Sequence, residues 1–314
     1  MRASRPRVAV VGHVEWVQFA RVDHVPRAGE VAHAREPFEE PAGGGAVAAV
    51  QLARLAGRAS LLTALGDDEL GRRSIARLDE LGVEAFTSRT PSTLTPSPRM
   101  PTARTSSPPT PSAGTPSTGT AATRRAATLV DGDGERTIVT YGPRLEPRGE
   151  DGGLPWEELA RIDAVYFTAG DLAALRAARA ARVLVASPRA GEVLGHGVEL
   201  DALVLSGEDE IERREAERVG AQARLVVSTE GARGGAYRER GGASGRWDPA
   251  RPAATLPGAP ADSYGCGDSF AAGLTYALGA GLDVPAALAL AARCGAVCLT
   301  GRGPYERQLR ADEL

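Results

Sequence analysis

The chain contains no lysine; all 37 of its basic residues are arginine. That absence excludes mechanisms that need an amine. A P-loop sets a lysine on the nucleotide phosphates, a protein kinase uses a strand lysine there, and Schiff-base chemistry needs an amino nucleophile. Any phosphoryl chemistry here must rest on backbone amides, arginine and a metal ion. Asparagine is missing too. Cysteine is scarce, with only Cys266, Cys294 and Cys298. An odd, sparse count gives no disulfide framework. Cys294 and Cys298 fall four apart in an Ala-rich helical stretch and read as small buried residues. The histidines at 13, 24, 33 and 196 lack metal-ligand spacing. No apolar run approaches membrane-spanning length. The basic stretch Met1 to Arg7 leads straight into Val8-Ala9-Val10-Val11, too short for a secretory apolar region. A net charge of -3 gives no reason to expect nucleic acid or an anionic membrane as partner. The expectation is a cytoplasmic protein whose 314 residues, 42% apolar, suffice for a sizeable α/β core.

Arg7 to Val11 is an apolar, β-branched run closed by Gly12 and predicts a buried strand. Val14 to Val25 alternates loosely and predicts more strand, ended by the turn Pro26-Arg27-Ala28-Gly29. Ala46 to Ala56 has helical character, Ser60 to Leu65 predicts a strand, and Glu69 to Leu81 an amphipathic helix stopped by Gly82. Thr87 to Thr123 is dominated by Ser, Thr and Pro. It has too little apolar surface to offset its ordering entropy, so disorder is expected there. Ala126 to Val130 and Arg136 to Tyr141, joined by Asp131-Gly132-Asp133-Gly134, predict a hairpin. Short apolar strands follow at 164–168, 183–186, 202–205 and 225–228, with helical stretches between them. This is the pattern of a mainly parallel, doubly wound sheet with helices on both faces. Ligands in such folds sit beyond the carboxyl ends of the strands.

The richest segment is Asp262-Ser263-Tyr264-Gly265-Cys266-Gly267-Asp268-Ser269-Phe270, running into Ala271-Ala272-Gly273-Leu274. A glycine turn opens a small-residue helix, and free N–H groups at a helix start attract an anion. Gly265 and Gly267 let the backbone approach a phosphate, and a carboxylate at Asp268 can take a proton from an attacking hydroxyl. A capped helix with a glycine turn is the alternative, and the segment alone does not decide between them.

Asp-x-x-Gly-x-Gly-Asp-[Ser/Thr]-Phe near the end of a chain of this length resembles the signature of the ribokinase-like (PfkB) carbohydrate kinases. The resemblance implies that Asp268 is the catalytic base. It implies that the amides of Gly265, Cys266 and Gly267 form an anion hole, and that Asp262 lies beside that hole and the ATP and, in some members, near a monovalent cation. The family usually has alanine where Cys266 stands. Ala42-Gly43-Gly44-Gly45-Ala46-Val47, continuing to Gly57, is similar to the family's first signature, whose glycines lie against the sugar, and Gly66-Asp67-Asp68-Glu69-Leu70-Gly71 follows in place. A dinucleotide fingerprint is the rival for this glycine block, weakened because Glu36 to Pro41 does not predict a strand. Val226 to Gly235 resembles the strand and turn beside the ATP phosphates, with Thr229, Gly231 and Gly234 as contacts. Leu205-Ser206-Gly207-Glu208-Asp209-Glu210 takes the place of the family's Asn-x-x-Glu. There Gly207 replaces the asparagine, and Glu210, with Glu208 in reserve, supports Mg²⁺ through water. Residues 14–35 and 126–141 would form a small β-lid that excludes water from the sugar.

The sequence departs from the pattern where the family binds its sugar. Counting from Gly12, the usual aspartate falls at Val17 and a preceding polar position at Glu15; the usual asparagine falls at Val47. Loss of these partners points to a different substrate or to lost activity, and the intact Asp262–Asp268 block favours a different substrate. The resemblance implies one kinase domain over 1–314, interrupted at 87–123, that uses ATP and Mg²⁺ to phosphorylate a hydroxyl of a sugar-like molecule. A nucleoside kinase on the same fold and an inactive metabolite-binding protein are the alternatives. A homodimer through the lid is the implied assembly.

Overall fold

The computed structural model describes residues 5–88, 121–248 and 258–314. Two sheets organise the chain. The larger contains β1 (Val8–Val11), β4 (Ala59–Ala64), β5 (Val83–Ser88), β8 (Ala164–Phe167), β9 (Val183–Ala186), β10 (Leu200–Ser206), β11 (Ala223–Thr229), β12 (Gly235–Glu239) and β13 (Ser244–Trp247). Its order is β13-β12-β11-β10-β9-β8-β1-β4-β5. Every pairing from β5 to β11 is parallel; β12 and β13 add an antiparallel edge. The smaller sheet, ordered β3-β2-β6-β7, contains β2 (Glu15–Arg21), β3 (Arg35–Ala42), β6 (Arg125–Val130) and β7 (Arg136–Tyr141).

Alternation within β1 shows why the large sheet needs helices on both faces. Val8 and Val10 enter one apolar cluster, Ala9 and Val11 the other. An all-apolar strand therefore buries both its faces. The first cluster lies under α1 (Gly44–Ala56), α5 (Cys266–Gly279) and α6 (Val284–Cys298). The second lies under α3 (Leu172–Ala178) and α4 (Glu210–Val219). Between β4 and β5 runs α2 (Glu69–Glu80), whose N-cap Asp68 accepts the Gly71 N–H at 2.8 Å. Among the described residues no helix is long and apolar enough to cross a membrane.

Three expectations are corrected. Residues 36–41 do form strand, as part of β3, pairing antiparallel with β2. Pro37 and Pro41 hid it; proline is tolerated here because β3 is an edge strand. It lies in the small sheet, so no parallel β-strand feeds the glycine block and the dinucleotide reading still fails. The lid accordingly has a fourth strand beyond the predicted 14–35 and 126–141. Finally, the ends of the Ser/Thr/Pro segment are ordered. Thr87 and Ser88 close β5, and Thr123 is buried, its N–H and hydroxyl both donating to the Asp68 carboxylate at 2.8 and 2.6 Å. Residues 89–120 lie outside the described residues.

Candidate active site

The parallel strands β1 and β8 end side by side, and the start of α1 is pressed against both. A Cβ on Gly12 would lie 2.5 Å from Thr168 Cγ2, and one on Gly45 would lie 2.6 Å from the His13 carbonyl oxygen. Only glycine lets the backbone come this close. Gly45 N–H donates to that carbonyl at 3.2 Å. Gly43, at φ 88°, caps α1 without a side chain. A Cβ on Gly43 would stand 3.1 Å from the His13 ring and 3.3 Å from Glu15 Cγ. One on Gly44 would stand 3.1 Å from Asp268 Oδ1 and 3.2 Å from Thr168 Oγ1. The glycine triplet is thus a floor onto which the side chains of His13, Glu15, Thr168 and Asp268 converge.

Asp268 arrives from the far end of the chain on the first turn of α5. Gly265, at φ 82°, is the N-cap and has no capping side chain. The N–H groups of Gly267 and Asp268 find no backbone acceptor among the described residues, and a Cβ on Gly267 would meet nothing within 4 Å. Open space therefore faces unpaired donors at a helix N-terminus, where the macrodipole favours an anion. The Cys266 N–H is the exception among the three predicted amides: it donates to Ser263 O at 3.4 Å.

Asp262 holds this loop in shape. Its two carboxylate oxygens accept the N–H groups of Tyr264 and Gly303, each at 2.9 Å, and it is 2% exposed. Tyr264 in turn accepts the Gly43 N–H on its hydroxyl at 3.3 Å, tying loop to floor. The lid joins in: Arg136 donates to Ser263 Oγ at 3.0 Å, and Ser263 N–H donates to Gly134 O at 3.0 Å. Replacing Asp262 by Ala would strand two buried amides. We expect it to lower unfolding stability in urea by about 3–6 kcal/mol, taking 1.5–3 kcal/mol for each of the two bonds to a charged acceptor. A variant as stable as the parent would mean that the loop holds itself.

Further along the same sheet edge, β10 and β11 end in a second glycine turn. Thr229 Oγ1 donates to Leu205 O at 3.3 Å, and Glu230 N–H donates to Gly234 O at 2.7 Å. Gly231 and Gly234 take φ of 57° and 78°. Glu208 and Glu210 lie exposed beside this turn, paired with Arg233 and Arg214 respectively.

A family model described as pfkB family carbohydrate kinase matches residues 5–97 and 111–310. This chain belongs to that family. Its fold is ribokinase-like. A ribokinase from Giardia lamblia superimposes with a TM-score of 0.73 at 16% identity, covering 98% of this chain and 97% of that one. A ribokinase from Thermotoga maritima gives 0.70 at 17% identity, with coverage of 98% and 97%. A nucleoside kinase from Methanocaldococcus jannaschii gives 0.65 at 14%, with coverage of 99% and 97%. No curated protein sequence matches the chain.

For a pfkB-family kinase, two predicted contact positions are corrected. Val17 and Val47 are wholly buried in the apolar core. Val47 faces the loop, with its Cγ1 3.0 Å from where a Gly265 Cβ would be. Neither side chain offers surface to a ligand, because an apolar side chain at either place gains more from the core. Asp262 is likewise buried, and each of its oxygens accepts a backbone N–H of the loop. Sequence reasoning overlooked His13, Thr168, Arg124, Arg144, Arg189 and Glu212. Thr168 carried a usable signal: it is a polar residue just past the carboxyl end of an apolar strand, where ligands sit.

Burial sets the charge states. It pushes the Asp268 carboxyl above the usual aspartate range; Arg189 and Arg136 pull it back in part, and Glu212 adds to the rise. Burial, with Arg144, Arg124 and Arg189 nearby, drives His13 down to about 3, so it is neutral near pH 7. Glu15 is raised by burial against the pull of Arg124 and Arg144. The Cys266 thiol is raised by the neighbouring Cys298 and by burial. A thiol held protonated is a poor nucleophile.

Proposed function

We propose that the protein transfers the γ-phosphoryl group of ATP to a hydroxyl of a sugar-like small molecule, with Asp268 as general base. The observation that carries this is the position of Asp268 Oδ1 against the glycine floor, on the same first helical turn as the unpaired amides of Gly267 and Asp268. The acceptor lies on Gly43–Gly45 under the lid. Asp268 takes the proton of its hydroxyl as that oxygen bonds to phosphorus. The bond from phosphorus to the β-phosphate oxygen breaks, and ADP leaves with the electron pair. The amides of Gly267 and Asp268, with that of Gly265, hold the phosphoryl oxygens as charge shifts among them, which costs no reorganisation because the helix start is already fixed. Thr229, Gly231 and Gly234 would hold the nucleotide phosphates.

Magnesium suits this site as a passenger on the nucleotide. Among the described residues no three His, Cys, Asp or Glu side chains gather into a metal cage. Mg²⁺ at phosphates needs only one or two carboxylates and keeps its waters. Glu210 and Glu208 would hold it through water, and it would neutralise phosphate charge.

The test is ADP release from MgATP with pooled sugars, sugar acids, sugar phosphates and nucleosides. Release that depends on one pool supports the reading. ATP binding with no release under any pool would leave a metabolite-binding protein, and release with nucleosides alone would make it a nucleoside kinase. A raised Asp268 carboxyl also predicts the pH profile. The base works only when ionised, so kcat/KM should fall with decreasing pH through an apparent pKa above about 3.9, the ordinary aspartate value. A profile flat down to ordinary aspartate pKa would contradict the assignment of Asp268.

A further inference from the structure

We propose that the acceptor carries an oxyanion, either a carboxylate or a phosphate ester, received by the guanidinium groups of Arg124 and Arg144 beside the glycine floor. This deepens the kinase reading and rests on it.

The wall of the floor is built unlike a neutral-sugar site. Val17 is sunk in the core, so no carboxylate reaches sugar hydroxyls from mid-strand. His13 and Glu15 stand against Gly43 instead, and both are more than nine-tenths buried. Arg124, one residue before the lid strand β6, lies beside Glu15 and donates to Thr140 Oγ1 on β7 at 2.8 Å. Its Nε stops 3.5 Å from Glu15 Oε2, beyond hydrogen-bond reach, and both atoms are buried without a partner. Arg144, just past β7, donates from Nε to Glu146 at 2.6 Å and from Nη1 and Nη2 to the Arg189 carbonyl, both at 3.2 Å, and its charge is felt at His13 and Glu15. Arg189 itself is committed to Glu212 at 2.5 Å, and the other Glu212 oxygen is taken by the Ser206 N–H.

One pairing on this wall does not close: Arg124 Nε and Glu15 Oε2 share no hydrogen bond. Of the three arginines around His13, Arg144 is paired with Glu146 and Arg189 with Glu212, which leaves Arg124 with the looser partner. Glu15 is the nearest counter-charge for Arg124, yet burial works to neutralise it. A partly buried guanidinium with an unclosed ion pair is costly, and a ligand oxyanion relieves that cost. Guanidinium is also the group whose planar fork matches carboxylate and phosphate. Burial works against charge on both Glu15 and His13, which lessens any repulsion of an anion beside them.

The experiment compares three pools at equal concentration: neutral pentoses, hexoses and nucleosides; C5–C7 aldonates and uronates; and sugar monophosphates. Each is scored by ADP release from MgATP and by thermal stabilisation with ADP saturating, so that binding at the nucleotide phosphates is not counted. Response to the second or third pool supports the proposal, and which one responds separates carboxylate from phosphate ester. Arg124→Gln and Arg144→Gln should then raise the acceptor KM about 10–100-fold, the effect of removing a charge-assisted contact. KM for ATP should hold. Arg124→Lys, which keeps the charge but loses the fork, should recover only part of the affinity and guards against misfolding of the Gln variant. Turnover or stabilisation by the neutral pool alone overturns the proposal and leaves the kinase reading standing. Stabilisation by an anionic pool, abolished in Arg124→Gln but without turnover, keeps the anion site and overturns the kinase reading, and with it the ligand's role as acceptor. No response to any pool overturns both, and an anionic response untouched by the arginine variants overturns the role of Arg124 and Arg144.

Discussion

Asp268→Asn should lower kcat about 10²–10⁴-fold, the range for loss of a general base, and leave a protein that folds at least as well as the parent. Both halves come from the same burial. The Asp268 carboxyl has a folded pKa above its unfolded one, since burial outweighs Arg189 and Arg136. Such a group binds its proton more tightly when folded. Ionised at neutral pH it therefore costs stability, and the cost appears as pH rises through the folded pKa. Asparagine keeps the shape and removes the charge, so the variant should show an equal or higher Tm near pH 7, with the difference shrinking in acid. Loss of turnover together with loss of fold would mean that Asp268 acts as a structural cap. Parental turnover in a folded variant would remove it from the reaction.

Much of this site was legible because it is written in backbone chemistry. Gly43-Gly44-Gly45 and Gly265-Cys266-Gly267-Asp268 announce tight turns and a helix start, and the structure brings the two blocks together. The parallel strands were legible for a similar reason: runs such as Val183–Ala186 are apolar on both faces and have few other uses. What stayed hidden depends on partners remote in sequence. β3 carries two prolines and exposed acids, and becomes strand only because β2 offers an edge. β12 and β13 are half-exposed and lack a clean period. Val17 and Val47 turn out to be core residues, and His13, Glu15, Arg124 and Arg144 come from three separate stretches. No local spacing foretells that they meet.

The absence of lysine takes on meaning at this wall. A lysine is a flexible point charge, whereas arginine is a planar fork with five donors. Arg136 on the lid, Arg144 at its exit and Arg189 beyond β9 each bond a backbone or side-chain oxygen with part of the fork and keep donors free. One residue type thereby both fastens the lid to the core and supplies the positive field around Asp268 and His13. Lid position and site charge are consequently coupled: moving the lid moves Arg136 away from the loop that carries Asp268.

Gly44→Ala should lower kcat/KM for the acceptor roughly 10²-fold, the size of loss that follows a misplacement of about 1 Å at a reacting centre. The new methyl would sit 3.1 Å from Asp268 Oδ1 and 3.2 Å from Thr168 Oγ1. An acceptor hydroxyl must come within about 2.6–3.2 Å of the base to give up its proton. The methyl claims that space and pushes the carboxylate aside by some tenths of an ångström. The backbone has no objection. Gly44 is the first residue of α1 and lacks a positive φ, so alanine is the better helix former there by up to about 1 kcal/mol. Gly43, at φ 88°, would confuse the test with strain. The expected signature is a folded protein that binds MgATP as the parent does in calorimetry yet has lost most of its acceptor turnover. Unchanged kcat/KM would show that the acceptor does not lie on the glycine floor. Weakened MgATP binding would show that the floor belongs to the nucleotide.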